Sequence, residues 1–183
     1  MKKHHIPLLF LLIVLCSACG KTADKEGTRQ ENTSDMADMN VIHRLPDLHV
    51  EDTVISGSNV YVWTIDRVSC DSIGIVKDEM GYRFADNLLS ITIRKNGSPF
   101  FSRTFKKSSF SHLLDEDFAR QSILDGCRFL QVHEGMVTFS LAVSYPESDM
   151  SRPFKLNIGP DGSFMILEDN DLEEEYTPEV QGE

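Results

Sequence analysis

The stretch "LSITIRKNGSPFFSRTF", residues 89–105, alternates apolar and polar side chains on both sides of Asn96-Gly97. A period of two belongs to a strand with one buried face, and Asn-Gly readily takes positive φ at both positions of a two-residue hairpin turn. The chain must therefore double back here, with Lys95 and Asn96 at a solvent-facing tip. Two further segments read the same way. "CRFLQVHEGMVTFSLAVSY" turns at His133-Glu134-Gly135, and "FKLNIGPDGSFMIL" turns where Pro160 presets φ and Asp161-Gly162 follow. "NVYVWTIDRVS", residues 59–69, is rich in β-branched and aromatic residues and adds another strand. Residues 41–56, mixed around Pro46, offer a first edge strand.

One helix is expected, within "SHLLDEDFARQSIL", residues 111–124. Leu114, Phe118, Ile123 and Leu124 recur at helical spacing, Ser111 can cap, the early acids suit the positive N-terminal dipole and Gly126 can end it. Many short strands with a single short helix predict a mainly β fold, an antiparallel β-sandwich or a barrel-like sheet. An α+β fold, an open antiparallel sheet with the helix packed on it, is the alternative.

The N-terminus reads as an address. Lys2 and Lys3 precede an apolar run over residues 6–15, about half the ~20 residues of a membrane-spanning helix, and Ser17-Ala18-Cys19 follows. Basic, apolar and small-residue segments in that order make an export signal, and "LCSACG" resembles a bacterial lipobox with Cys19 as the lipidated new N-terminus. Cys16 stands where leucine is usual, a departure from that pattern. The competing reading is a buried apolar helix using cysteine as a small hydrophobe. The expected organisation is then a signal peptide over residues 1–18, a lipidated N-terminus and flexible linker over 19–46, a β-rich domain over 47–168 and an acidic tail over 169–183. Between residues 20 and 40 only Ala23, Met36, Ala37 and Met39 are apolar, too few to build a core.

Charge excludes a class of partner. The chain carries 18 Lys and Arg against 29 Asp and Glu; losing Lys2 and Lys3 leaves 16 against 29, a formal charge of −13. Nucleic-acid binding needs a basic surface that releases counterions from phosphates, so no nucleic-acid partner is expected. Attachment to a membrane is expected through the N-terminal lipid rather than through basic residues. Of four cysteines, Cys70 and Cys127 remain in the domain. Outside the cytosol they are a candidate disulfide, worth about 4 kcal/mol on a chain-entropy account, with two independent thiols as the alternative.

The string "MGYRFADNLLSITIRKNGSPFFSRTFKKSSF", followed by "SILDGCRFL" and "VTFSLAVSYPESD", resembles an uncharacterised family of cell-envelope lipoproteins from the Bacteroidetes, known as a domain of unknown function. The likeness spans residues 61–166, and its most specific pieces are 81–87 and 100–107. It implies location in the cell envelope, at the outer membrane and facing the periplasm or the surface, and brings no functional residue. In this bacterial group Asp52-Thr53-Val54 and Asp71-Ser72-Ile73 resemble the acid-hydroxyl-aliphatic acceptor of O-glycosylation, which makes Thr53 and Ser72 candidate sites.

Catalytic and metal-binding patterns were weighed in turn. The acids Asp115, Glu116 and Asp117 are adjacent, so on a helix they point apart and serve its N-terminus better than a metal. "EDNDLEEE" starts like a calcium loop but lacks the glycine and the final glutamate. His133-Glu134 lacks the second histidine of a zinc protease, since position 137 is valine. No metal and no cofactor is expected. His112 with Asp115 is the one acid–base pair that would support an envelope hydrolase, without a recognisable nucleophile elbow. The favoured expectation is a non-catalytic binding or structural module whose partner is an envelope protein or glycan. A surplus of phenylalanines singles out Phe100, beside Arg94 and Arg103, as a contact patch.

Overall fold

A computed structural model describes residues 39–170. Eleven strands form in this range: β1 (Ile42–His43), β2 (Leu48–Ser56), β3 (Asn59–Ser69), β4 (Ile75–Lys77), β5 (Arg83–Ala85), β6 (Asn87–Lys95), β7 (Ser98–Phe105), β8 (Ile123–His133), β9 (Met136–Ser144), β10 (Ser151–Ile158) and β11 (Phe164–Glu168). One helix, α1 (Glu116–Gln121), lies between β7 and β8. No helix among the described residues is long and apolar enough to cross a membrane.

Two four-stranded antiparallel sheets, in the orders β2-β3-β6-β7 and β11-β10-β9-β8, face each other as a β-sandwich, and no barrel closes. The predicted alternation decides which side chains lie between them. Tyr61, Trp63 and Ile65 of β3 and Leu89, Ile91 and Ile93 of β6 meet Val137, Phe139, Leu141 and Val143 of β9 and Phe154, Leu156 and Ile158 of β10. Trp63 bridges the layers: its ring stacks on Phe129 of β8 at 5.2 Å and meets the edge of Phe139 at 6.0 Å. Phe110 closes the core against Phe154 at 5.0 Å.

Asn96 and Gly97 have φ of 52° and 80°, and Glu134 and Gly135 have 50° and 81°, the paired positive values of a hairpin turn whose twist matches its strands. Asn96 also ties two hairpins together, its Oδ1 accepting from the Val60 N–H at 2.8 Å. The β10–β11 turn runs through Gly162 at φ 81°. A fourth hairpin, β2–β3 through Gly57 and Ser58, pairs Leu48 through Ser56 with residues 67 down to 59 and makes β2 a long edge strand.

The helix is shorter than its sequence pattern. Asp115, not Ser111, caps it by accepting the Phe118 N–H at 2.8 Å, and Ser122 leaves it in an extended conformation. Ile123 and Leu124 belong to β8, paired with Ser144 and Val143, and Gly126 sits beside a β-bulge rather than at a helix end. A six-residue helix has too few hydrogen bonds to outlast that strand pairing. Residues 107–110 form a separate 3₁₀ turn.

Between β3 and β6, residues 70–86 leave the sheet and build a third one, β1-β5-β4, in which β1 runs parallel to β5. Val76, Phe84 and Ile123 form its own small core, with Leu45 and Tyr82 packed on it. The three sheets are joined by a buried polar knot. Asp86, 5 % exposed, accepts from the Asn87 N–H at 2.8 Å and the Leu124 N–H at 2.9 Å. The Lys107 ammonium lies 3.6 Å from the other carboxylate oxygen and donates to the Ser122 carbonyl at 2.5 Å. Asn87 in turn donates to the Leu124 carbonyl at 2.7 Å and accepts from the Ser69 hydroxyl at 2.8 Å. Burial lowers the Lys107 pKa, and Asp86 partly offsets this. Residues 81–87 and 100–107, the most specific pieces of the family likeness, thus meet at one buried ion pair.

Candidate functional site

The third sheet forms one wall of a concavity. Asp78 holds a tight loop closed, its carboxylate accepting the Tyr82 N–H at 2.8 Å and its own N–H donating to the Tyr82 carbonyl at 3.1 Å. Gly81, at φ 93°, makes the reversal possible where a Cβ would be strained. This loop carries Glu79 and the exposed Met80 outward. Behind it the rings of His43 and Phe84 lie 5.2 Å apart, with Tyr82 edge-on to His43 at 5.9 Å.

The opposite wall is the β9–β10 connection. The Tyr145 N–H donates to the Met150 carbonyl at 3.0 Å, and the Met150 N–H donates to the Ser148 hydroxyl oxygen at 3.1 Å. Tyr145 packs on Phe118 of α1 at 4.7 Å, which fixes its ring. Together these walls enclose a cleft of about 670 Å³, within the size range of small-ligand sites. Its lining joins aromatic rings and two methionines to the carboxylates Asp78, Glu79 and Glu147, and no Lys or Arg occurs among the described lining residues. Nothing in the local sequence announces it. Its walls come from four separate segments, His43, residues 78–84, Gln121 and residues 145–150.

The hydrolase pair does not assemble. His112 is exposed on the turn over residues 111–114, whereas the Asp115 carboxylate is committed to the Phe118 N–H and to Arg152 at 2.5 Å. Lys107 and Ser122 are adjacent, yet Lys107 reaches the carbonyl of Ser122, and Ser122 is fully buried. That geometry holds structure together and offers no accessible nucleophile. No group of three or more His, Cys, Asp or Glu able to hold a metal occurs among the described residues.

The Phe100 patch is a different object from the one expected. Phe101, Phe105, Phe110 and Phe118 are core residues. A bulge in the β6–β7 register at Ile93/Arg94 takes Phe100 out of strict alternation, and its half-buried ring packs edge-on to Tyr61 at 6.0 Å. The Lys95 ammonium lies over Phe100 at 5.6 Å, Arg94 turns to the Gly97 carbonyl and Arg103 covers Phe164 at 5.7 Å. The cations are therefore already engaged within the fold.

Cys70 and Cys127 are both free thiols and form no bridge in this structure. The Cys70 sulfur lies 3.1 Å from the Ser72 hydroxyl, whose hydrogen bond lowers the Cys70 pKa, while burial in β8 pushes Cys127 up to about 12. We expect native protein to alkylate at Cys70 first, with Cys127 reacting on unfolding, because the thiolate is the nucleophile. Peptide mapping after brief iodoacetamide treatment checks this; equal labelling of both would contradict the structure. Thr53, on edge strand β2, and Ser72, in a 3₁₀ turn, are both exposed. Elsewhere on the surface the Asp66 carboxylate, 2.6 Å from His49, raises the His49 pKa. Cys19 and the linker up to residue 38 lie outside the described residues, as does the acidic run from residue 171. Asp169 is held in the domain: it is 7 % exposed and lies 2.9 Å from the Lys155 ammonium.

A search among curated proteins finds no match. Over residues 28–166, from before the first described strand into β11, the chain matches the family described as a domain of unknown function, DUF4738, and it belongs to that family.

Proposed function

We propose that this protein is a lipid-anchored component of the cell envelope whose β-sandwich is a non-catalytic binding module, with the aromatic, acid-rimmed cleft as its binding site. The cleft carries this reading: it has the size and mixed apolar-polar lining of a ligand site. Ser148, the one serine among its described lining residues, accepts a hydrogen bond that closes its own loop. The sequence supports the anchor, since Lys2-Lys3, a short apolar run and Ser17-Ala18-Cys19 stand in the order of a lipoprotein signal. Two or three acyl chains on Cys19 would hold a domain of strongly negative charge at a membrane without basic residues. The partner in this reading is an envelope protein or glycan, or a smaller component, and the acidic surface disfavours nucleic acid.

The anchor is tested by detergent phase separation of the mature protein. Wild type is expected in the detergent phase, and Cys19→Ala in the aqueous phase or retained as an unprocessed precursor. Wild-type protein found in the aqueous phase with residues 1–18 intact would refute the anchor and leave the cleft unaffected. Protease accessibility on intact cells then separates a surface-facing from a periplasmic domain.

A further inference from the structure

We infer that the cleft between the β1-β5-β4 sheet and the β9–β10 loop selects an alkylammonium group, a small organic cation on an apolar stem. This rests on the reading of the cleft as a binding site and adds the class of ligand. Three observations converge. Aromatic rings contribute to both walls: Tyr82 and Phe84, grouped around His43 on one side, and Tyr145, packed on Phe118, on the other. A ring face attracts a cation through its quadrupole, most strongly where the cation is shielded from water.

Carboxylates occur on both rims, Asp78 and Glu79 on one loop and Glu147 on the other. The lysines and arginines nearest in sequence do not supply the missing positive charge. Lys77 and Arg83 flank the loop but are not among the described lining residues, Arg44 pairs with Asp71, Arg120 with Asp117, and Arg152 is drawn to Asp115 and to the ring of Phe118 at 5.0 Å. The described lining thus carries carboxylates and no Lys or Arg, which disfavours an anionic ligand and leaves a neutral one without a charge partner. Finally, Met80 and Met150 stand exposed at the lining, 69 % and 58 %, and give the apolar stem of a ligand adaptable thioether surface.

The test uses the full mature chain and three probes with a straight four-carbon chain, the carboxyl carbon included: butyltrimethylammonium, butanol and butyrate. Binding is followed by shifts of the Tyr82 and Tyr145 ring resonances. The cation is expected to bind about tenfold more tightly than butanol, with no saturable shift from butyrate. Glu79→Gln with Glu147→Gln should remove most of that tenfold preference and leave butanol binding unchanged. Nα-acetyl-lysine-amide, whose side chain is itself an alkylammonium on a four-carbon stem, is expected to compete with the cation, and its failure to compete would overturn the class. Equal binding of butanol and the cation, or tighter binding of butyrate, overturns the selection while leaving the cleft a binding site. Absence of any saturable shift overturns both readings of the cleft, and neither result touches the lipid anchor.

Discussion

Asp86→Ala is expected to destabilise the domain by about 3–5 kcal/mol, the range for removing one partner of a buried ion pair. The carboxylate accepts the backbone N–H groups of Asn87 and Leu124 and faces the Lys107 ammonium, so alanine orphans two donors and leaves a cation inside the protein. The loss is not local. Leu124 is the second residue of β8 in one sheet, Asn87 begins β6 of the other, and Asp86 follows β5 of the third. Urea unfolding should show a lower midpoint at an unchanged slope, and the melting temperature should fall by roughly 10 °C or more.

The pH dependence tells this mechanism from simple loss of packing. Burial already lowers the Lys107 pKa below its ordinary 10.5, and Asp86 opposes that shift. Without Asp86 the folded-state pKa falls further while the unfolded value stays put. Over the alkaline range between the two, the unfolded chain binds more protons, so stability rises with pH. The deficit of Asp86→Ala should therefore shrink as pH rises toward 10.5. Asp86→Ala with Lys107→Met should recover part of the loss at neutral pH by removing the stranded charge. A cost below about 1 kcal/mol, independent of pH, would sink this account of the knot.

Phe139→Ala should have a loss of similar size, about 3–5 kcal/mol, from a different cause. Phe139 is fully buried in β9 and meets Trp63 of the facing sheet edge-on, with Phe129 at 5.6 Å on its own sheet. Removing the ring empties the centre of the sandwich, and the strands on either side are too constrained by their ladders to collapse into the space. Trp63 is the chain's one tryptophan, so its fluorescence reports directly on the cavity. Phe139→Leu, which keeps most of the volume, should cost markedly less. Equal costs for alanine and leucine would mean that the site relaxes freely and that the central packing is not as tight as described.

The sandwich was legible where the information is local. Alternation over residues 89–105 places Leu89, Ile91, Ile93, Phe101 and Phe105 in the core, and Asn96, Gly97 and Gly135 take the positive φ their chemistry favours, with Glu134 drawn into it by its hairpin. These signals survive because a one-residue slip would turn every apolar side chain to water. The helix pattern misled at Ile123 and Leu124, whose spacing from Phe118 suits a helix but whose pairing with Val143 and Ser144 suits a sheet. Which wins depends on a strand twenty residues away in sequence. Spacing also said nothing about whether Cys70 and Cys127 face each other, and the structure leaves both thiols free.

The cleft lies furthest from anything a local pattern can express. His43 comes from before the sandwich, Tyr82 from the excursion between β3 and β6, and Tyr145 from a loop of the opposite sheet. Sequence by itself determined the strands of the sandwich, three of their turns and the buried faces, because each depends on residues within a few positions of one another. Tertiary structure alone decided the short helix, the third sheet, the Asp86–Lys107 knot and the acid-rimmed cleft, because each is a contact between distant segments, set by packing that no single stretch encodes.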